Sequence, residues 1–109
     1  MGVTGGIRPT ARNLAHMSEQ IPGGPHGPNN WGVIGISRDQ WRLVAAAAAL
    51  GGNVRVGLED NFYLPGGEMA RSNGDLIARA RRMIEDVGRR VATVAEAREL
   101  LGTPKRVEA

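Results

Sequence analysis

Apolar residues recur along this chain in two rhythms, and the change from one to the other lays out its elements. Leu14, Met17 and Ile21 fall at helical spacing behind Thr10, which predicts an N-cap at Thr10 and a helix over Ala11–Gln20. Trp31–Ile36 (Trp-Gly-Val-Ile-Gly-Ile) is a short apolar run with β-branched residues and predicts a buried strand. A helix should then run from about Arg38 to Leu50 on Leu43, Val44, Ala46, Ala47 and Leu50, opened by a capping box of Ser37 and Gln40. Ala45–Ala49 gives it high propensity and a small-residue face for close packing on a sheet. Gly51-Gly52 stops it, as a glycine beyond a helix end does.

Asn53–Leu58 returns to the period of a strand. Val54, Val56 and Leu58 share one face, while Arg55, Gly57 and Glu59 share the other. Strand, helix and strand make a βαβ unit, so the strands should be parallel with a right-handed crossover. Further on, Ser72 with Asp75 opens a helix Asn73–Val87, apolar along Leu76, Ile77, Ala80, Met83, Ile84 and Val87 and ended by Gly88. Thr93 with Glu96 opens a last short helix, Val94–Leu101, closed by Gly102 and Pro104. Residues 1–9, 22–30 and 61–67 are rich in Gly, Pro or Asn and read as loops, and residues 1–9 and 103–109 as flexible ends.

The reading is therefore α/β, with two parallel strands, four helices and bare sheet edges. Such a unit looks like the tail end of a larger protein, a single partial domain over residues 1–109. Weak, poorly cooperative stability is expected of it alone, because both strands and helices present faces that want further neighbours.

Composition narrows the functions. With 41% hydrophobic and 23% charged residues in 109, the chain is an ordinary globular one, and without cysteine it has neither disulfides nor thiolate metal sites. The first twenty residues hold no signal-peptide apolar stretch, so a cytoplasmic protein with no membrane role is the default expectation. The net charge is +3, and the clustered Arg79, Arg81, Arg82, Arg89 and Arg90 alternate with Glu85 and Asp86, the pattern of a solvated, salt-bridged helix face. With only two Trp, one Tyr and one Phe there are few platforms for base stacking, so nucleic-acid binding ranks last among the functions.

The chemistry concentrates in Val54-Arg55-Val56-Gly57-Leu58-Glu59-Asp60-Asn61. A cation and two carboxylates at the carboxyl end of a parallel strand are costly to bury unless they pair, bind a metal or meet a ligand. That end is where α/β enzymes keep their reacting groups. The plainer alternative is a charge network that ties off the strand.

These same residues, with Trp31–Ser37, Arg38-Asp39-Gln40, the alanine-rich helix and the terminal helix pair, resemble the carboxyl-terminal part of the β-keto acid cleavage enzymes. The resemblance runs from about Gly5 to Gly102. It implies the carboxyl-terminal portion of a zinc-dependent TIM (β/α)8 barrel. The implied reaction joins a β-keto acid to acetyl-CoA and yields acetoacetate and a new acyl-CoA. By the same resemblance Glu59 matches the zinc-ligating carboxylate, Asp60 the acid that works on substrate protons, and Arg55 the arginine that pairs with it. The family's other zinc ligands are a His-x-His pair, whereas this chain has only His16 and His26, neither in that pattern. The resemblance thus implies a truncated or split member holding about the last quarter of a barrel. Such a piece would be inactive alone and would be completed by a front barrel half or by self-association. The other class of function is a non-catalytic module that docks on another chain.

Overall fold

The computed structural model describes residues 1–104 and Val107. Among them the elements run α1 (Ala11–Glu19), β1 (Gly32–Ile34), α2 (Gln40–Leu50), β2 (Asn53–Arg55), α3 (Asn73–Asp86) and α4 (Val94–Leu101). The strands β1 and β2 are parallel, with Val33 opposite Val54 and Ile34 opposite Arg55. Both are shorter than the sequence predicts, for a physical reason. The Gly35 carbonyl that would extend β1 is taken by the Gln40 side chain, and the Gly57 carbonyl accepts from the amides of Asp60 and Asn61. The ladder therefore gives way to a turn after Arg55, and Glu59 and Asp60 stand on that turn.

The helix ends follow their capping chemistry, with one correction. Thr10, Ser72 and Thr93 each accept the expected amide three residues on, and Thr93 with Glu96 forms the complete reciprocal box. At Ser72 the return contact shifts by one residue: the Asp75 carboxylate accepts from the amide of Arg71. Ser37 and Gln40 do not form the predicted box. Ser37 takes the left-handed backbone conformation at φ 63° and begins a single 3-10 turn over Ser37–Asp39, so α2 starts at Gln40.

Helix α2 is the centre of the packing. Leu43, Val44, Ala47 and Ala48 are completely buried. One flank, with Leu43 and Ala47, meets Leu14 of α1 and Val33 of β1; the other, with Trp41 and Val44, meets Leu76 and Ala80 of α3. Val54, Val56 and Leu58 pack into this second cluster, as their alternation predicts. At the carboxyl end of α2, Gly51 adopts φ 89°, and Gly52 lies under the Trp31 ring, where a Cβ would come within 2.6 Å of it. Arg89, expected on a solvated helix face, turns inward instead and donates to the carbonyls of Ala48 and Gly52 at 3.0 and 2.8 Å. A cation at a helix carboxyl end satisfies carbonyls that the helix cannot and suits its dipole.

The other face of the sheet is bare among the described residues: Ile34 is 43% exposed, and Gly32, Asn53 and Arg55 are also exposed. Residues 1–9 form no helix or strand, yet Met1 donates to Ile34 O at 2.8 Å and accepts from Ile36 N at 3.0 Å. Of the expected tail, residues 105, 106, 108 and 109 lie outside the described residues. No helix here is long and apolar enough to cross a membrane.

Leu43→Ala should lower the unfolding free energy by about 2–5 kcal/mol in a denaturant titration, because its fully buried site is walled by α1 and β1. An effect well under 1 kcal/mol would contradict the placement of α2 at the core. The Arg90 guanidinium, and after it the Thr93 amide, hold the Glu96 carboxyl down from 4.5 to about 2. A depressed acid contributes stability above its unfolded value and loses it as pH falls through its folded one. The amide shifts of α4 should therefore hold at neutral pH and change between about 4.5 and 2, and Glu96→Gln should flatten that profile.

Candidate functional site

The turn Gly57–Asn61 is placed by what flanks it. The Leu58 amide donates to Asn73 Oδ1 at 2.8 Å, and the Ser37 amide to Asp60 O at 2.8 Å. Behind the turn is a buried polar chain. Gln40, wholly buried, donates to Gly35 O at 3.0 Å; its Oε1 accepts from Asn61 Nδ2 at 3.3 Å. Asn61 also donates to Tyr63 O at 2.7 Å and accepts from Tyr63 N at 3.2 Å. Trp41 Nε1 donates to the same Tyr63 carbonyl at 2.7 Å. The loop beyond folds back as a tight hairpin, with Tyr63 bridged to Met69. A buried network with its polar groups paired is rigid, so the backbone on both sides of Asp60 is fixed.

Into this frame the structure brings Arg55, Glu59 and Asp60 together, as the sequence predicts. Arg55 Nε lies 3.3 Å from Asp60 Oδ2, and Arg55 Nη2 is paired with Glu59 Oε1. The two carboxylates differ sharply in their surroundings. The Asp60 side chain is 8% exposed and the Glu59 side chain 71%. Asp60 Oδ2 is buried and accepts no hydrogen bond, so the guanidinium serves it by charge and proximity. Such a carboxylate is poorly solvated, with a counter-ion beside it. Glu59 is a surface acid by comparison. Gly57 does not make room for a large neighbour: a Cβ there would meet only Asn73 Oδ1, at 3.9 Å.

The described residues do not form a zinc site by themselves. No three His, Cys, Asp or Glu side chains among them converge where an ion could be held. His16 and His26 are exposed on α1 and in the 22–30 loop. Glu59 can supply one oxygen, and a metal held by protein alone needs about three such ligands. Sequence reasoning also missed two elements. Gln40 was legible only as a capping residue, and Asn61 only as a turn residue, because nothing local in a sequence says that two amides will meet in a core.

The chain matches the sequence profile of the beta-keto acid cleavage enzymes over residues 1–103. It belongs to that family. It is 45% identical over 96 residues to a 3-keto-5-aminohexanoate cleavage enzyme of Fusobacterium nucleatum, an alignment covering 88% of this chain and 34% of the relative. The enzyme of the same description from Acetoanaerobium sticklandii is 43% identical over 105 residues, covering 96% of this chain and 37% of the relative. A 3-oxoadipate:acetyl-CoA acetyltransferase of Cupriavidus necator is 46% identical over 74 residues, 68% of this chain and 26% of its own length. The chain thus spans about a third of the length of the two cleavage enzymes it matches.

The ion pairs at the turn have unequal consequences for stability. Arg55→Met leaves the Asp60 carboxylate buried without its cation and should cost about 1–2 kcal/mol, discounted from a fully buried pair because Arg55 is half exposed. Glu59→Gln should change stability by about 0.5 kcal/mol or less. In urea titrations Asp60→Asn should recover most of the Arg55→Met loss. Equal costs for Arg55→Met and Glu59→Gln would show that Asp60 does not depend on the arginine.

Proposed function

We propose that this chain is a carboxyl-terminal segment of a TIM barrel and supplies part of the active site of a β-keto acid cleavage enzyme. The observation that carries this reading is the buried Asp60 carboxylate against Arg55, on a rigidly held turn at the carboxyl end of a parallel strand. That is where barrel enzymes assemble their chemistry. The bare face of β1 and β2, with Ile34 and Arg55 on it, would then look into the barrel. The strands that close it come from outside this chain, either from a front barrel half or from another copy.

In this role Asp60 takes a proton from the carbon between the keto and carboxyl groups of a β-keto acid. That carbon joins the acetyl carbon of acetyl-CoA and the CoA thiolate leaves. The thiolate then attacks the original keto carbon and the carbon–carbon bond beside it breaks. Acetoacetate and a new acyl-CoA result, and the proton held by Asp60 returns to the acetoacetate carbon. Arg55 keeps a positive charge beside Asp60 throughout. In the whole enzyme, Glu59 is the position at which this chain would add one ligand to a zinc whose remaining ligands it does not carry, and a bound zinc would act as a Lewis acid on substrate oxygens. Acetyl-CoA as cosubstrate is supported by the name of the Cupriavidus necator relative.

The chain alone should form no acetoacetate. Mixed with the front portion of a family member and zinc, it should form acetoacetate from a β-keto acid and acetyl-CoA, and Asp60→Asn should cut that rate by about 10²–10⁴-fold. Self-association with no turnover in any such mixture would instead favour a docking module without catalysis.

A further inference from the structure

A second feature adjoins the turn that carries Asp60 and shares its supporting residues. Between the start of α2 and the 61–67 loop lies a cavity of about 530 Å³, lined among others by Ser37, Arg38, Trp41, Arg42, Asn61 and Tyr63. That volume is in the range of small-molecule sites. Its wall is built in advance: Asn61 is 3% exposed and held by Gln40 and Tyr63, and Trp41 clamps the Tyr63 carbonyl. The lining is one-sided in charge, with two arginines and no carboxylate.

The arginines are available. Among the described residues Arg38 pairs with no carboxylate, and Arg42, with an 85% exposed side chain, reaches only Asp39 Oδ1 at 3.9 Å. Some arginines of the chain are engaged at shorter range, such as Arg81 with Glu85 at 2.9 Å and Arg90 with Glu96 at 2.7 Å. Two guanidinium forks on one cavity rim, neither closely paired among the described residues, match an anion with two charged centres, because each fork takes phosphate oxygens bidentately. The first turn of α2 adds to the same potential, since no side chain caps its amides. The Tyr63 ring, 44% exposed, gives an aromatic surface at the same rim.

We propose that this cavity seats the nucleotide diphosphate of the acyl-CoA, with Arg38 and Arg42 on its phosphate oxygens. The assignment of the occupant rests on the acetyl-CoA reading above; the choice of a diphosphate rests on the cavity. The Ser37 amide, on the cavity wall, bonds to the Asp60 backbone carbonyl at 2.8 Å, so a ligand anchored here lies beside the turn that carries Asp60. The diphosphate fixes the cofactor while its flexible arm carries the thioester onward.

The test is amide chemical-shift mapping and affinity on the 109-residue chain, with CoA, inorganic pyrophosphate and pantetheine as separate probes. CoA and pyrophosphate should shift Ser37, Arg38, Arg42 and Tyr63, and phosphate-free pantetheine should not. The double variant R38Q/R42Q should weaken CoA about tenfold or more and flatten its salt dependence, whereas R38K/R42K should retain part of the binding. Amide dispersion of each variant reports that it is folded, and Arg82→Ala on α3 is the surface control. Binding of CoA that is indifferent to R38Q/R42Q, or that shifts other residues, overturns the site and leaves the acetyl-CoA reading standing. Pyrophosphate binding in the cavity without CoA binding overturns the occupant and counts against the acetyl-CoA reading as well. Failure of both probes to bind overturns the site, and the turnover assay then decides the function separately.

Discussion

A carboxylate withdrawn from water needs a cation and a fixed neighbourhood, and Asp60 receives both from the ends of the two strands. Arg55, the last residue of β2, stands 3.3 Å from it, and the backbone on either side is tied to the end of β1 and the start of α2. Much of the remaining architecture serves that placement. Gln40 seals the Gly35 carbonyl, which ends the ladder and lets the chain turn at Gly57. Asn61 then locks the turn to Gln40, and Trp41 locks the loop beyond it. The cost of burying so many polar groups is offset because they pair with one another.

The same structure leaves one side of its sheet open among the described residues. Its helices cover one face of the sheet and leave Ile34 and Arg55 open on the other. Val94, Leu100 and Leu101 of α4 are likewise more than half exposed. Apolar groups at such positions lose the burial that would stabilise them, and this agrees with a chain that aligns to about a third of its relatives' length. The cationic cavity lies at the strand ends beside Asp60, so the two candidate ligand contacts share one rim of the fold.

How much of this was legible in the sequence depended on the range of the interaction. The caps at Thr10, Ser72 and Thr93, the glycine stop at Gly51 and the alternation of Val54, Val56 and Leu58 are local, and each predicted the correct element. The meeting of Arg55 with Glu59 and Asp60 was also within reach, because a strand followed by a turn brings four- and five-residue neighbours together. The strand lengths were not, since they are set by Gln40 reaching back to Gly35 and by the turn at Gly57. Arg89 was misplaced for a similar reason. Periodicity put it on a solvated face, but open carbonyls forty-one residues away at Ala48 draw it inward. Ser37 and Gln40 had the spacing of a cap, and the demand of the core for an amide at Gln40 overrode it.

The central claim is that Asp60, held by Arg55, is the base that moves the substrate proton. It is tested most directly by deuterium uptake from D2O into acetoacetate, at the carbon between its keto and carboxyl groups, followed by NMR. The measurement uses the chain assembled with a front barrel half. Uptake should run well above the uncatalysed background in the wild-type assembly, and should fall to background with Asp60→Asn while acetoacetate still binds. Undiminished uptake with Asp60→Asn would contradict the account and return the Arg55–Asp60 pair to a purely structural role.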